Sequence, residues 1–191
     1  MKIRILTDED GNILAFTKTG GVEWQEIDVK DEELDELSAD LRHFKLENGR
    51  LQKTDSYRIS LMEKIRNELY ELRLTYETAP FEFEKNGIKY LQNNRSIDQS
   101  NLTRIVVMCQ AKQKNTFENW KFYTKEGSEK YESLTLLDMM KMAEIMEKQT
   151  TLAMVTETWL NHELETLADT ELKNYESETR YKQKYNEIKE V

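Results

Sequence analysis

The scarcity of residues that interrupt regular structure constrains this chain most. Its 191 residues include one proline and six glycines. Pro80 ends a helical pattern, because proline lacks an N–H and restricts the residue before it. The glycines fall at expected turns, which are Gly11, Gly20, Gly21, Gly49, Gly87 and Gly127. These turns divide the chain into segments whose apolar periodicity predicts strands or helices.

The N-terminal segments alternate apolar and polar residues, as strands do. They predict a three-stranded antiparallel β-meander, with strands at residues 2–7, 13–19 and 22–29. Ile3 and Ile5 are expected on the same face as Leu14. The acidic stretch at residues 28–40 contains Leu34 and Leu37 at helical spacing, which predicts a short surface helix.

Three β-hairpins are predicted further along the chain. Two have an Asn-Gly loop, at residues 48–49 and 86–87, which suits the tight turns that match strand twist. The third spans Trp120 to Tyr131 and turns near residues 126–127. Apolar and ionic pairs agree on one register in the first two hairpins. The expected pairs are Leu46 with Leu51, Glu47 with Arg50, Phe83 with Tyr90, and Glu84 with Lys89.

Each hairpin precedes a segment with an apolar stripe at helical spacing. A helix capped by Thr54 or Asp55 is expected to run to about Tyr76. Ser96 and Gln99 have the spacing of a capping box for the second helix. Thr135 can cap the third helix, and helical patterning resumes after Thr151.

The C-terminal segment has the pattern of a long amphipathic helix. Its apolar residues recur at threes and fours among mixed charges. Such a helix is expected to fold back on the preceding helix or to be covered by a partner, since burial supplies most helical stability. The candidate partner-binding residues are Leu172, Tyr175, Tyr181, Tyr185 and Ile188.

These patterns predict an α+β fold with an N-terminal antiparallel β-meander, β-hairpin/helix units and a long C-terminal helical segment. Three domains are expected. They are a β-rich domain at residues 1–53, a hairpin-helix domain at residues 54–172 and a charged amphipathic helix at residues 173–191. Because 34% of the residues are charged and 38% are hydrophobic, the chain has much surface to cover, which an elongated shape, separate small cores or an assembly with partners would each explain.

The sequence carries no recognisable catalytic, nucleotide-binding or metal-binding motif. His162 is followed by Glu163, but Thr166 stands where a zinc-protease helix has its second histidine. The histidine is therefore expected to be exposed. Cys109 lies on an apolar helical stripe and is expected to be a small buried side chain. We expect no enzyme activity, no cofactor and no metal site.

Methionines and tryptophans allow two interpretations. Flexible thioethers fill cores or form adaptable binding surfaces, and core packing is preferred for Met139, Met140, Met142 and Met146. Trp24, Trp120 and Trp159 lie in patterned segments. Each is expected first as a core residue and second as an interface anchor.

The formal net charge of -9 argues against nucleic acid and anionic membranes as partners. Binding to phosphate draws largely on clustered Lys and Arg. No apolar stretch approaches the roughly 20 residues that span a bilayer, and the start of the chain shows a strand pattern without a signal-peptide apolar block. The expected partners are therefore proteins.

Four short motifs lie between about Lys53 and Leu172. They are Phe83 with Asn86–Tyr90, Arg95–Gln99 with Leu102, Trp120 with Lys121, and Leu134–Asp138. In this order they resemble a poorly characterised family encoded in bacteriophage and prophage tail gene clusters. The opening residues 1–52 are similar to small tail-module proteins of phages that infect Gram-positive hosts.

The resemblance implies a tail, baseplate or tail-fibre-associated protein and carries over no catalytic residues. The leading hypothesis is a structural component of the tail or baseplate that contacts tail, baseplate or fibre proteins. An assembly chaperone for a tail fibre or receptor-binding protein is the alternative. An acidic regulator or inhibitor of a host protein is a third hypothesis. Synthesis in the host cytoplasm is expected, while homo-oligomerisation and a lasting place in the virion tail are left open.

Overall fold

The computed structural model describes residues 1–21 and 23–190 and confirms the α+β fold class. The chain forms two compact units. The first unit comprises Met1–Ile65 and Leu167–Tyr175, and the second comprises Arg66–Thr166 and Glu176–Val191. These units cut across the three domains expected from the sequence, because each unit includes a short segment from the C-terminal part of the chain.

The first unit opens with a three-stranded antiparallel sheet. Its strands are β1 (Lys2–Thr7), β2 (Ile13–Thr17) and β3 (Gln25–Asp28). β1 lies in the centre, between β2 and β3, whereas a meander would place β2 there. The connection from Thr17 to Gln25 is long enough to carry the chain to the far edge of β1. Val22, the predicted start of the third strand, lies outside the described residues.

A β-bulge turns Leu14 away from the buried face that it was expected to share with Ile3 and Ile5. The register of β1 with β2 shifts between Leu6 and Thr7. Because a shift of one residue sends a side chain to the opposite face, Leu14 is exposed while its neighbour Ile13 is buried.

The first unit continues with a helix, one 3-10 turn and a hairpin. These are α1 (Asp31–Ala39), the turn Leu41–His43, β4 (Phe44–Glu47) and β5 (Arg50–Lys53). Leu34 and Leu37 are buried, as the helical spacing predicted. Leu46 pairs with Leu51, which confirms the predicted hairpin register.

Ion pairs attach a C-terminal helix to the first unit. Helix α5 (Asp169–Lys173) follows the helix that ends at Leu164. Lys173 Nζ lies 2.8 Å from one oxygen of Glu36, and Lys53 Nζ lies 3.1 Å from the other. Partial burial acts to raise the pKa of Glu36, but the hydrogen bonds from both lysines outweigh it and lower that pKa.

The second unit contains a four-stranded sheet and the longer helices. Helix α2 (Asp55–Glu77) runs from the first unit into the second. The following elements are β6 (Phe81–Lys85), β7 (Ile88–Gln92), α3 (Ser96–Ala111), β8 (Thr116–Tyr123), β9 (Glu129–Thr135), α4 (Leu136–Leu164) and α6 (Ser177–Lys189). The strand order is β6-β7-β8-β9, with antiparallel neighbours. Phe83 pairs with Tyr90 and Glu84 with Lys89, as predicted.

Helix α4 is 29 residues long and joins two segments that showed helical patterning separately. Its start is confirmed, because the Thr135 hydroxyl accepts a hydrogen bond from the Asp138 N–H. Three of the four methionines considered as core residues are buried, and Met140 is exposed. The core of the sheet and its helices includes Phe83, Phe122, Leu134, Leu102, Cys109, Met139, Met142 and Met146.

Helix α3 begins one residue earlier than its predicted capping box. Arg95 is the N-cap, and its backbone N–H donates to the Asp98 carboxylate at 3.1 Å. Ser96 is the first helical residue. The Gln99 amide instead donates to Asn94 Oδ1 at 3.1 Å. Asp98 thus replaces Gln99 as the residue that closes the box.

Candidate functional site

The five residues that were expected to bind a partner are divided between the two units and differ in burial. Leu172 and Tyr175 belong to the first unit, whereas Tyr181, Tyr185 and Ile188 lie on α6 in the second unit. Leu172 and Tyr181 are buried, and the other three are half-buried. Because two of the five are buried, these side chains do not all belong to an exposed binding face.

Helix α6 folds back on its own unit, which is the first of the two outcomes expected for the terminal segment. The Tyr181 hydroxyl donates to the Ala153 carbonyl of α4 at 2.8 Å. The Tyr76 ring lies 5.0 Å from the Tyr181 ring and 4.6 Å from the Tyr185 ring, measured between centroids. Burial raises the pKa of Tyr181 and of Tyr185. The tyrosines of α6 are primarily packing residues.

The three tryptophans have different environments. Trp120 is buried, as expected, and Trp24 is half-buried. Trp159 is 44% exposed on α4, which corrects its expected place in the core. Lys184 Nζ lies 3.5 Å from the centroid of the Trp159 ring, and the side chain is held by this cation–π contact rather than by burial.

A groove between α3 and β8 lies within the second unit. It consists of two adjoining cavities of about 280 Å³ and 480 Å³ that share Phe117 in their walls. On the helix side its lining residues recur at threes and fours, so they lie on one face of α3. They are Asp98, Asn101, Arg104, Ile105, Met108, Cys109 and Lys112. This space, with Thr116–Lys121 and Tyr123 of β8 as its other wall, is the α3–β8 groove.

Strand β8 has a largely unpaired edge on the groove side. It pairs with β9 along its length, from Thr116 to Tyr123. In the part of the chain that the structure describes, its ladder with β7 is limited to the pair of Tyr123 with Leu91. β7 ends at Gln92, and the chain then turns into α3. The rest of β8 therefore faces the groove instead of a neighbouring strand.

Hydrogen-bond alternation identifies a backbone position that faces the groove. Just beyond β8, the Thr124 N–H donates to the Ser128 carbonyl at 2.8 Å. In an antiparallel ladder, successive residues direct their backbone groups to opposite sides. Phe122 therefore points its N–H and carbonyl toward β9, and Lys121 points its own toward the groove.

A β-bulge shapes the strand wall of the groove. Phe117 pairs with Leu134 and Trp120 pairs with Glu132, so one extra residue is inserted between the two pairs. Asn119 in this insertion has a positive φ of 62°. The bulge keeps Phe117 and Trp120 on the same face, with ring centroids 6.3 Å apart.

The groove is basic although the whole chain is acidic. Its lining contains five cationic side chains and two carboxylates. The cations are Arg95, Arg104, Lys112, Lys114 and Lys121, and the carboxylates are Asp98 and Glu118. The cations thus exceed the carboxylates along both of its cavities.

Two of the groove cations have carboxylate partners. Arg95 Nε lies 2.8 Å from Asp98, and Lys121 Nζ lies 2.9 Å from Glu129. The hydrogen bond that each cation donates to its carboxylate partner raises the pKa of that cation. The partnered cations are therefore largely neutralised by their own unit.

The other three groove cations are Arg104, Lys112 and Lys114. None of them has a carboxylate within ion-pair distance among residues 1–21 and 23–190. The Arg104 guanidinium donates to Asn101 Oδ1 at 3.3 Å. These three charges are the part of the groove best placed to attract an anionic group.

A buried hydrogen bond fixes the position of Trp120 at the groove. The indole Nε1 donates to Gln92 Oε1 at 2.8 Å, and the Gln92 amide donates to the Asn93 carbonyl at 2.8 Å. Gln92 is only 3% exposed. Because a buried amide is stable only when it is hydrogen-bonded, these contacts fix the end of β7 against β8.

Replacing Trp120 by phenylalanine is expected to destabilise the second unit by about 1–3 kcal/mol, because it leaves the buried Gln92 carbonyl without its donor. Urea unfolding followed by far-UV circular dichroism measures this loss. Replacing Gln92 by methionine should lower the free energy of unfolding less in the W120F background than in the wild type. Equal costs in both backgrounds would contradict the coupling.

The groove cations were not singled out in the sequence, since they are spread between Arg95 and Lys121 among neutral and acidic residues. The bulge also prevented the start of β8 from being predicted from the sequence. It interrupts the alternation before Trp120, where the predicted hairpin began. Only the placement of α3 beside β8 brings these residues together.

The residues considered for chemistry differ in burial. Cys109 is buried, with its Sγ 3.8 Å from the Thr116 carbonyl, and His162 is exposed on α4. Within the described ranges, no group of three or more His, Cys, Asp or Glu side chains is placed to hold a metal ion. The helices described are also too short or too polar to cross a membrane.

The fold and the groove define an α+β protein whose second unit carries a basic helix-strand groove. Comparison of the chain with protein-family models, with curated proteins and with solved structures found no match.

Proposed function

We propose that this protein is a structural component of a bacteriophage or phage-like tail or baseplate and acts through protein–protein contacts. The α3–β8 groove is the observation that carries the proposal, because it combines a free strand edge with unpaired cations. Grooves with these features accept extended segments of other proteins. The motifs that resemble tail-module proteins supply the biological setting.

The proposed role involves no catalytic step, cofactor, nucleic acid or membrane. The chain would be made in the host cytoplasm and incorporated into the virion tail. Its net charge of -9 opposes contact with phosphate-rich partners, while the local excess of cations in the groove favours an acidic protein surface.

Purified phage particles are expected to contain this chain at a constant ratio to the other tail proteins. Quantitative mass spectrometry of particles from successive density gradients measures that ratio. A major capsid protein and a non-structural phage enzyme serve as the positive and negative controls. A structural role would be rejected if mature particles contained as little of this chain as of the non-structural enzyme.

The alternative is an assembly chaperone for a tail fibre or receptor-binding protein. The free edge of β8 favours this possibility, since a chaperone can cover an extended segment until assembly. Co-expression of a chaperone should raise the soluble yield of the fibre protein, and the chaperone should be absent from the purified particle.

A further inference from the structure

We infer that the α3–β8 groove binds an extended, acidic segment of a partner protein as an added β-strand. The inference rests on the proposed protein-binding function and specifies the chemistry of the partner. It uses three features of one groove: the free backbone at Lys121, the unpaired cations, and the apolar surface between those cations.

The path of β7 indicates where the added strand would lie. β7 is antiparallel to β8 but leaves it after the pair of Leu91 with Tyr123. A segment that continues this line would meet the backbone N–H and carbonyl of Lys121. Strand addition of this kind derives its affinity from main-chain hydrogen bonds and its specificity from alternate side chains.

The spacing of the cations specifies where the acidic residues of the segment belong. Arg104 and Lys112 are separated by about 12 Å along the axis of α3, at 1.5 Å per residue. An extended segment covers about the same distance in four residues, at 3.3 Å per residue. Side chains four positions apart lie on the same side of a strand. We therefore expect acidic residues at positions i and i+4.

The residue between the two acidic positions should be apolar. Met108 lies midway between Arg104 and Lys112 in the sequence of α3 and is 42% exposed. Phe117 is half-buried on the opposite wall. A valine or similar side chain at position i+2 would pack against this surface, because alternate residues of a strand share a face.

The bulge in β8 limits the length of the added ladder. The extra residue beside Asn119 interrupts regular pairing, and lysines and bulges also protect sheet edges from unwanted strands. Main-chain pairing is therefore centred on Lys121, and contacts with α3 hold the rest of the segment. If the bulge and the lysine served only to keep other strands away from this edge, no peptide would bind there.

A labelled synthetic peptide tests the inference on the full-length protein. The probe is a peptide of about nine residues with Glu at i and i+4, Val at i+2 and Thr elsewhere, which spans about 30 Å when extended. Fluorescence anisotropy is expected to show saturable binding. A peptide with Gln in place of both Glu residues should bind about tenfold more weakly, and so should a peptide N-methylated at alternate backbone positions.

Matched variants locate the site. R104Q/K112Q should weaken binding of the Glu peptide about tenfold, whereas K182Q/K189Q, which removes two exposed lysines of α6, should leave it unchanged. Amide hydrogen exchange at Lys121 should slow when the Glu peptide is added. The Gln and N-methyl peptides are tested on the wild-type protein, so these results do not depend on folding of the variants.

Several outcomes would overturn the inference. If the N-methylated peptide binds as tightly as the Glu peptide, the segment is not bound as an added strand. If the Gln peptide binds as tightly as the Glu peptide, the groove does not recognise acidic residues. If no saturable binding is observed, the groove is not a peptide site. If light scattering shows that the protein dimerises through this edge, the occupant of the groove is a second copy of the chain and not a partner protein. The particle experiment is separate: particles that contain the chain while the peptide fails to bind reject this inference alone.

Discussion

Replacing Tyr181 by alanine is expected to destabilise the second unit by about 3–5 kcal/mol, the range for truncation of a large buried aromatic side chain. Tyr181 is 0% exposed. Its ring packs 5.0 Å from that of Tyr76, and its hydroxyl donates to Ala153 in α4. The substitution removes these contacts and leaves a cavity between α6 and the helices that it covers.

Two milder variants separate the contributions to this loss. Tyr181→Phe retains the ring and should cost about 1 kcal/mol, the usual value of one hydrogen bond. Tyr185→Ala should cost less than Tyr181→Ala, because Tyr185 is only half-buried. Urea unfolding and hydrogen exchange of the α4 amides measure the three effects. If Tyr181 served mainly to bind a partner, Tyr181→Ala would leave the stability of the free protein unchanged.

Local interactions made much of the fold predictable from the sequence. The two Asn-Gly hairpins have the expected registers, because the pairs Phe83 with Tyr90 and Leu46 with Leu51 agree with the geometry of their loops. The cap at Thr135 was predictable for the same reason. Its partner, Asp138, lies three residues away.

Interactions between distant residues account for the errors. The order of the first sheet depends on where β3 pairs, and nothing in the residues from Thr17 to Gln25 selects one edge of β1. The bulge at Asn119 shifts the alternation of β8, so periodicity placed the start of that strand too late. Apolar residues spaced at threes and fours likewise could not distinguish a helix that packs against its own unit from a helix that a partner protein covers.

The candidate site moved from α6 to the α3–β8 groove for a related reason. The tyrosines of α6 were conspicuous because they form an apolar stripe, but an apolar stripe is also what packing within a unit requires. The groove cations lack such periodicity. Arg104 and Lys112 become a site only when the free edge of β8 lies beside them.

Replacing Gly11 by alanine is expected to destabilise the first unit by about 2–5 kcal/mol, through a left-handed backbone and a steric clash. Gly11 has a φ of +83°, and a Cβ atom there would lie 2.7 Å from the Leu46 carbonyl oxygen. The Leu46 N–H also donates to the Gly11 carbonyl at 2.8 Å. Because the obstacle is backbone, a rotation of a side chain cannot relieve the clash.

Gly20→Ala is the matched control for this prediction. Gly20 belongs to the same unit and has a φ of +88°, but a Cβ atom there would meet nothing within 4 Å. It should lose only about 1–2 kcal/mol, from the left-handed conformation. Urea unfolding and hydrogen exchange of the β1 and β4 amides compare the two variants. A larger loss for Gly11→Ala assigns the difference to its contact with β4, whereas equal losses would show that backbone conformation alone requires this glycine.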